Sequence, residues 1–376
     1  MIGSDSLAVE RKVVAILGIL SKSSEAIGAR VIARQLKKHG IDLTERAVRY
    51  HLKSMDERGL THVLGREGRL ITSLGVDELR NALVDDKVSL VVDRIKLLAY
   101  RTTFDWQSQS GTVPVNISLF TPEKFPQALE AMRPAFEAGI CVSDLVATAE
   151  EGEEIGEMIV PQGKVALATV CSTVVNGALL KAGIPIDSRF GGLLQIRGHR
   201  PFRFVELIYY GGSSLEPSEV FIKGRMTRVT EAISRGDGNV LADFGEIPAP
   251  CRLCAETVIT RLKEARLGNP VLMGNIGEPV CKVAVEPNRV GIVILDGLNP
   301  VAAAQEAGIE AENTALTSVV HYGQLRSFWK LWPLVSNTGD VNTTAGKMHT
   351  ARPIPSAGAL DLFSMPKVKP SRAPLR

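Results

Sequence analysis

Near the start of the chain, apolar residues recur three times at helical spacing. Over residues 7–20, Val9, Val13, Ile16, Leu17 and Leu20 share one face. Over residues 28–38, Val31, Ile32 and Leu36 repeat the pattern, and Gly40 ends it. A third helix opens behind Thr44, a residue type suited to N-capping, and runs to Arg58 with Gly59 as its stop. The next stretch, THVLGREGRLITSLG, predicts two short strands around the turn Gly65-Arg66-Glu67-Gly68. Three helices and a β-hairpin are the layout of a winged helix-turn-helix, placed at residues 1–75. A connecting helix, or two, is expected over residues 76–98.

The body, residues 99–332, carries an internal repeat. VALATVCSTVVNGALLKAGI (165–184) aligns without a gap on VGIVILDGLNPVAAAQEAGI (290–309), and both predict strand, turn, helix. A short strand and turn precede each, EMIVPQGK in one half and CKVAVEPNR in the other. Further upstream, VPVNISLFTPEKF and RFVELIYYGGSSLEPSEVF each give a strand and then a proline at a helix start. Pro122 and Pro217 are expected at the first helical position, where a missing N–H costs nothing. The strands LVATAE and VLADFGE follow, and the second half inserts an amphipathic helix, CRLCAETVITRLKEARL. The expected fold class is α+β: a winged helix-turn-helix followed by an internally duplicated α+β effector domain with pseudo-two-fold symmetry. Ligand sites in such pairs lie at the seam, where equivalent turns converge. Residues 333–376, rich in Pro, Ser, Thr and Gly, are expected to form a disordered tail.

Composition narrows the class. The chain has 376 residues, 45% of them hydrophobic, enough for a sizeable core. It has no run of 18 apolar residues that would span a membrane. The start, MIGSDSLAVERKVV, lacks the pattern of a signal peptide, so a cytoplasmic location is expected. Five cysteines fit reduced thiols better than a disulfide framework. The net charge of +3 is uneven. Residues 1–75 hold 13 Lys/Arg against 8 Asp/Glu, whereas residues 76–332 hold 25 against 31. A basic module on an acidic body points to a polyanion at one end.

On a helical wheel the third helix divides cleanly. Arg46, Arg49, Tyr50, Lys53 and Glu57 fall within a wedge of about 100°. Val48, His51, Leu52 and Met55 lie opposite, and His51 is expected to be packed. Such a face places arginines where a recognition helix meets guanine edges. The expected DNA-binding set is Thr44, Arg46, Arg49, Tyr50 and Lys53, with Arg66 and Arg69 from the wing.

The candidate ligand residues sit on the two repeated turns. One is Cys171-Ser172-Thr173, with Asn176 one turn into the helix. The other is Asp296-Gly297, then Asn299. Helix N-termini bind carboxylates, and hydroxyls add donors; Asp296 repels an anion unless a cation pairs with it. Arg189, beside Gly191-Gly192, offers a planar fork. Ser213 and Ser214 lie in GGSSLEP, a loop whose backbone can cradle an anion. Plainer readings stand beside these: N-capping for the turns, a surface charge for Arg189, a tight capped loop for GGSS. Cys251 and Cys254 have metal-like spacing but no partners, and read as packed thiols; no metal is expected. No P-loop, HExxH or G-x-S-x-G occurs.

TERAVRYHLKSMDERGLTHVLGREGRLITSLGVDEL resembles the DNA-binding module of the archaeal nitrogen-regulation repressor family, NrpR. TFDWQSQSGTVPVNISLF, FGGLLQI, GGSSLEPSEVFI, EIPA and NRVGIVILDGLNPVAAAQEAGI resemble that family's effector domain, over roughly residues 7–325 in all. The resemblance is to the form with one effector domain. It implies a repressor of nitrogen-fixation and ammonia-assimilation genes whose hold on operator DNA is weakened by 2-oxoglutarate. Three readings follow. The first is that repressor, bound to double-stranded operator DNA as a homodimer, with no cofactor beyond its dicarboxylate effector and no catalytic role. The second is a winged-helix regulator answering to another small molecule. The third is an enzyme with Cys171 or Ser172 as nucleophile, which needs a base, and His199 and His321 are the histidines the body offers.

Overall fold

A computed structural model describes residues 4–23, 25–38, 40–65, 67–81, 90–268 and 271–331. Arg66, much of the expected connector and the 333–376 tail lie outside these residues. The chain forms two compact units: residues up to 94 with 211–215, and the remainder from 95 onward.

The first unit contains α1 (Ser4–Leu20), α2 (Ala29–Lys38), α3 (Glu45–Glu57), β1 (Thr61–Leu64), β2 (Gly68–Ile71) and α4 (Ser73–Asn81). Its core is built from the residues the helical spacing selected. Ile16, Leu17 and Leu20 meet Ile32 and Leu36, and Val48, Leu52 and Met55 close the cluster. Thr44 caps α3, its hydroxyl accepting from Ala47 N at 3.2 Å. Gly59 takes φ +72° just past the helix. β1 and β2 form the wing, and β2 also pairs with Ile27 through Ile27 N to Arg69 O (3.0 Å) and the reciprocal bond (3.1 Å). Gly68 sits at φ +128°, and a Cβ there would lie 2.3 Å from the Ile27 carbonyl carbon. Glycine is therefore a steric requirement of the wing. α4 continues the same packing, with Leu79 against the three-helix core.

α5 (Val91–Arg101) leads into the second unit. There the chain runs β3 (Thr112–Phe120), α6 (Phe125–Glu137), β4 (Leu145–Ala149), the small ribbon β5 (Glu154–Ile155) and β6 (Met158–Ile159), β7 (Val165–Val170) and α7 (Thr173–Lys181). It continues through β8 (Asp187–Arg197), β9 (Arg200–Tyr209), α8 (Pro217–Lys223), α9 (Val229–Arg235), β10 (Gly238–Pro248), α10 (Arg252–Glu264), β11 (Val271–Ile276), β12 (Arg289–Leu295) and α11 (Asn299–Glu306). β13 (Glu312–His321) and β14 (Arg326–Ser327) follow. Two five-stranded antiparallel sheets result, ordered β13-β3-β7-β4-β14 and β11-β12-β10-β8-β9. Helices α6, α8, α9 and α11 share one core, including Met132, Phe221, Ala232 and Val301. Helices α7 and α10 share the other, with Val174, Val175, Val258 and Leu262. Central strands are consequently buried on both faces. Leu167 of β7 enters the first core while Ala166 and Ala168 enter the second.

The repeat appears as two like units, β7–α7 and β12–α11, each a buried strand turning into a buried helix. The likeness does not extend to strand order: β3 lies inside its sheet and β9 at an edge. Pro217 opens α8 as expected, but α6 starts at Phe125 and takes Pro126 in its first turn. Pro122 lies in the preceding turn, closed by Lys124 N to Thr121 O at 3.1 Å. CKVAVEPNR makes no strand. Cys281 and Lys282 both take positive φ in a tight turn bridged between Val280 and Val283. β9 pairs with β8 through two register breaks, and the turn covers part of its free side, with Phe204 N donating to Cys281 O at 3.3 Å.

The two like turns are locked together at Gly297. A Cβ there would stand 2.0 Å from the Val170 carbonyl oxygen. Gly297→Ala must push the turns apart, and is expected to cost about 1–3 kcal/mol of stability, read as a lower urea midpoint.

Candidate functional site

On α3 the buried stripe is Val48, His51, Leu52 and Met55, with His51 7% exposed. Burial, and secondarily the charge of Lys12, lowers the His51 pKa, so the ring packs as the neutral form. Arg46, Arg49, Tyr50, Lys53 and Glu57 are all exposed, Tyr50 at 75%. Arg49 is held by an ion pair with Glu45, one turn earlier on the same helix. An exposed i,i+4 pair of this kind is weak and yields readily to a stronger acceptor. Thr44 is exposed at the start of the helix. Arg69 differs from the expectation of a free wing arginine: its Nε donates to both Asp56 oxygens, at 2.9 and 3.1 Å. That pair ties the wing to the end of α3. Arg66 lies outside the described residues.

In the second unit the turns after β7 and β12 converge on a narrow recess. Cys171, Ser172, Thr173 and Asn176 line it from the first turn, and Asp296 from the second. Asn116, Ser188, Tyr210, Glu216 and Asp243 complete its polar lining. It encloses about 20 Å³, room for one water. Asp296 Oδ2 accepts from the Ser218 hydroxyl at 2.7 Å, and Oδ1 from Leu298 N at 2.7 Å. Asp243 accepts from the Tyr210 hydroxyl and from Ser172. Glu216 caps α8, accepting from Glu219 N at 3.0 Å. Asn176 Nδ2 donates to Ser188 Oγ at 2.8 Å.

No lysine or arginine is among the lining residues. Burial first, then the charge of Asp296, pushes Asp243 up to about 7. Glu216 is raised well above the carboxylate range by burial and by Asp296, and Asp296 is raised by burial. Tyr210 is raised by burial and by Asp243. Burial and then Asp296 push the Cys171 thiol up to about 12. A thiol held protonated is a poor nucleophile, and among the described residues no histidine lines the recess. Its chemistry is that of carboxyl groups poised to carry protons.

Several ligand candidates fall elsewhere. Arg189 pairs with Glu246 at 2.9 Å, an acid buried in β10, and does not line the recess. Ser213 and Ser214 belong to the first unit, where Ser213 O accepts from Val91 N at 2.9 Å. Asn299 is spent on structure, bonding Leu241 N at 2.8 Å and Leu241 O at 2.9 Å. Gly297 is the packing contact described above. Cys254 is exposed, not packed, and Cys251 is partly buried at the start of α10. His321 caps a surface turn. Tyr210, Glu216 and Asp243 escaped sequence reasoning. The GGSSLEP loop ends in Glu216, so only that one carried a local signal. Among the described residues no cluster of His, Cys, Asp and Glu is arranged to hold a metal ion, and no helix is long and apolar enough to cross a membrane.

Comparison with known proteins adds three findings. Residues 88–327 match a family described as NrpR regulatory domains NRD1 and 2, and residues 14–79 match a ribonuclease R winged-helix domain. The chain is 36% identical to the global nitrogen regulator NrpRI of Methanosarcina mazei, over 85% of this chain and 98% of that one. It is 33% identical to the global nitrogen regulator NrpR of Methanococcus maripaludis, over 81% of this chain but 53% of the relative. The fold of a crystallised nitrogen repressor-like protein from Methanococcus jannaschii superposes with a TM-score of 0.54 at 24% identity, covering 64% of this chain and 99% of that one.

The recess predicts a pH signature. Asp243 is raised from 3.8 to about 7 in the folded state. Its contribution to stability is full below its unfolded pKa and is lost as pH rises through the folded value. Thermal midpoints should therefore fall between about pH 4 and pH 7 and level off above, and Asp243→Asn should flatten that fall while stabilising the protein at pH 8. An unaltered pH profile in the variant would refute the assignment.

Proposed function

The chain belongs to the NrpR family of global nitrogen regulators, and from that membership we propose that it is a transcriptional repressor of nitrogen-fixation and ammonia-assimilation genes, binding operator DNA as a homodimer and released by 2-oxoglutarate. The observation that carries the DNA-binding part is α3: a capped, well-packed helix whose exposed wedge presents Arg46, Arg49, Tyr50 and Lys53. Its N-terminal turns enter the major groove, where an arginine fork discriminates guanine. One reading helix per chain contacts few base pairs, so two copies on an inverted repeat supply the affinity and the symmetry.

The effector part rests on the recess. A dianion entering it meets carboxyl groups that hold protons and donate hydrogen bonds, together with Ser172, Thr173 and Asn176. A dicarboxylate is larger than the roughly one-water space of the recess as it stands, so binding it entails widening the recess between the two turns. That difference in shape is what linkage needs: a ligand favouring the open arrangement disfavours DNA, and DNA disfavours the ligand equally. The chain acts as a regulator, without a catalytic step.

Fluorescence anisotropy on an operator duplex tests this. 2-Oxoglutarate should weaken binding, and Arg49→Ala should cost about 1–3 kcal/mol and relax base preference at one position. Failure to bind duplex at low salt overturns the reading; binding indifferent to 2-oxoglutarate overturns the effector. Proton uptake adds a sign: 2-oxoglutarate affinity should fall as pH rises through about 7, because the dianion favours the protonated form of Asp243.

A further inference from the structure

The second unit comes from the acidic part of the chain, yet one hairpin on it is wholly basic. Between Gln195 and Val205 the sequence is IRGHRPFRF, without an acid. β8 and β9 meet there in a two-residue turn, Gly198-His199, with both residues at positive φ, +57° and +59°. Glycine takes that conformation freely; histidine is strained in it. The turn is pinned by His199 N donating to Gly236 O at 2.9 Å, and a Cβ at Gly236 would stand 2.6 Å from the His199 ring. The hairpin tip is thus a fixed shape.

On that tip the charges are arranged against their own repulsion. Arg197 and Arg200 are direct cross-strand partners, an unfavourable placement for like charges. Arg197, Arg203 and Lys282 surround the Phe202 ring, at 5.5, 5.6 and 6.0 Å from its centroid. Arg203 is further fixed by Gln195 Oε1 at 3.0 Å. All four cations are exposed, and no acidic side chain among the described residues pairs with them. The aromatic face holds the cationic groups in place but leaves their charge uncompensated. Three arginines on the pinned hairpin tip, with Lys282 of the neighbouring turn beside them, match a row of phosphates far better than a small enclosed anion.

We propose that the β8–β9 hairpin, through Arg197, Arg200 and Arg203, with Lys282 from the neighbouring turn, is a second DNA-contacting element that grips the phosphate backbone. This rests on the DNA-binding reading above and extends it: α3 reads bases, while the hairpin adds affinity without sequence preference. Neutralised phosphates release counterions, so each contact steepens the fall of affinity with salt by about 0.9 in log–log slope.

The test uses the full-length chain and labelled operator and scrambled duplexes, titrated between about 50 and 200 mM salt. The triple variant Arg197→Gln, Arg200→Gln, Arg203→Gln should lower the slope by about one to three units and weaken both duplexes to a similar factor. Replacing the same three by lysine should keep the wild-type slope, which separates lost charge from a damaged hairpin. An unchanged slope in the glutamine variant, with wild-type protein still binding operator, overturns the hairpin assignment and leaves the α3 reading standing. Loss of dimer in sedimentation with an unchanged slope also overturns it, since the patch is then a protein contact. Wild-type protein that binds neither duplex removes the DNA-binding reading and the hairpin with it.

Discussion

The body of this protein depends on one unfavourable juxtaposition: Asp243, Asp296 and Glu216 face a single recess with no basic residue in its lining. Ionised carboxylates out of water cost several kcal/mol each unless paired. The fold meets that cost in two ways. It supplies donors, from Ser218, Leu298 N, Tyr210, Ser172 and Glu219 N, and it raises the pKa values so that protons substitute for cations. The turns that carry these groups are then clamped by steric contact at Gly297. Anything that changes the charge balance inside the recess acts on the packing of both sheets at once, because the strands behind it are buried on both faces.

Legibility from sequence followed the range of the interactions. The stripe on α3 was readable because a 3.6-residue period writes itself locally, and Val48, Leu52 and Met55 are fully buried. Thr44 and Gly59 were readable for the same reason, Thr44 as the N-cap and Gly59 as the stop just beyond the C-cap Arg58. The two like turns were found by their repetition, and both reach the recess. Tyr210 and Asp243, by contrast, are tens of residues from Cys171 and Asp296; the β10–β12 pairing brings Asp243 to Asp296, and Cys171 follows a strand of the other sheet, so no spacing rule joins them. Arg189 misled because its partner, Glu246, is brought beside it only by the β8–β10 pairing, across a bulge at Phe244/Gly245. The Pro122 expectation was off for a milder reason. Two prolines, Pro122 and Pro126, compete to start one helix, and both can follow a turn.

The two units divide the work along that same line. The first is an arrangement of local rules: short helices, caps, a two-stranded wing pinned at Gly68. Its exposed face can change residue by residue without disturbing what lies beneath. The second is held by contacts distant in sequence, and its recess can be altered only by moving several elements together. In the function proposed above, specificity for bases and response to an effector therefore fall to substructures with very different tolerance to substitution.

The broken edge of β9 has a consequence for how the protein survives at working concentration. A ten-residue edge strand exposing Leu207 and Tyr209 would ordinarily invite another chain to add itself as a further strand. Two register breaks, Pro201, and the Phe204 N–H already bonded to Cys281 interrupt the half of the strand next to the turn, while residues 206–209 keep a regular register. The same irregularities blunt the strand near the hairpin tip as a template for strand addition, and leave residues 206–209 as the stretch on which another chain would have to build.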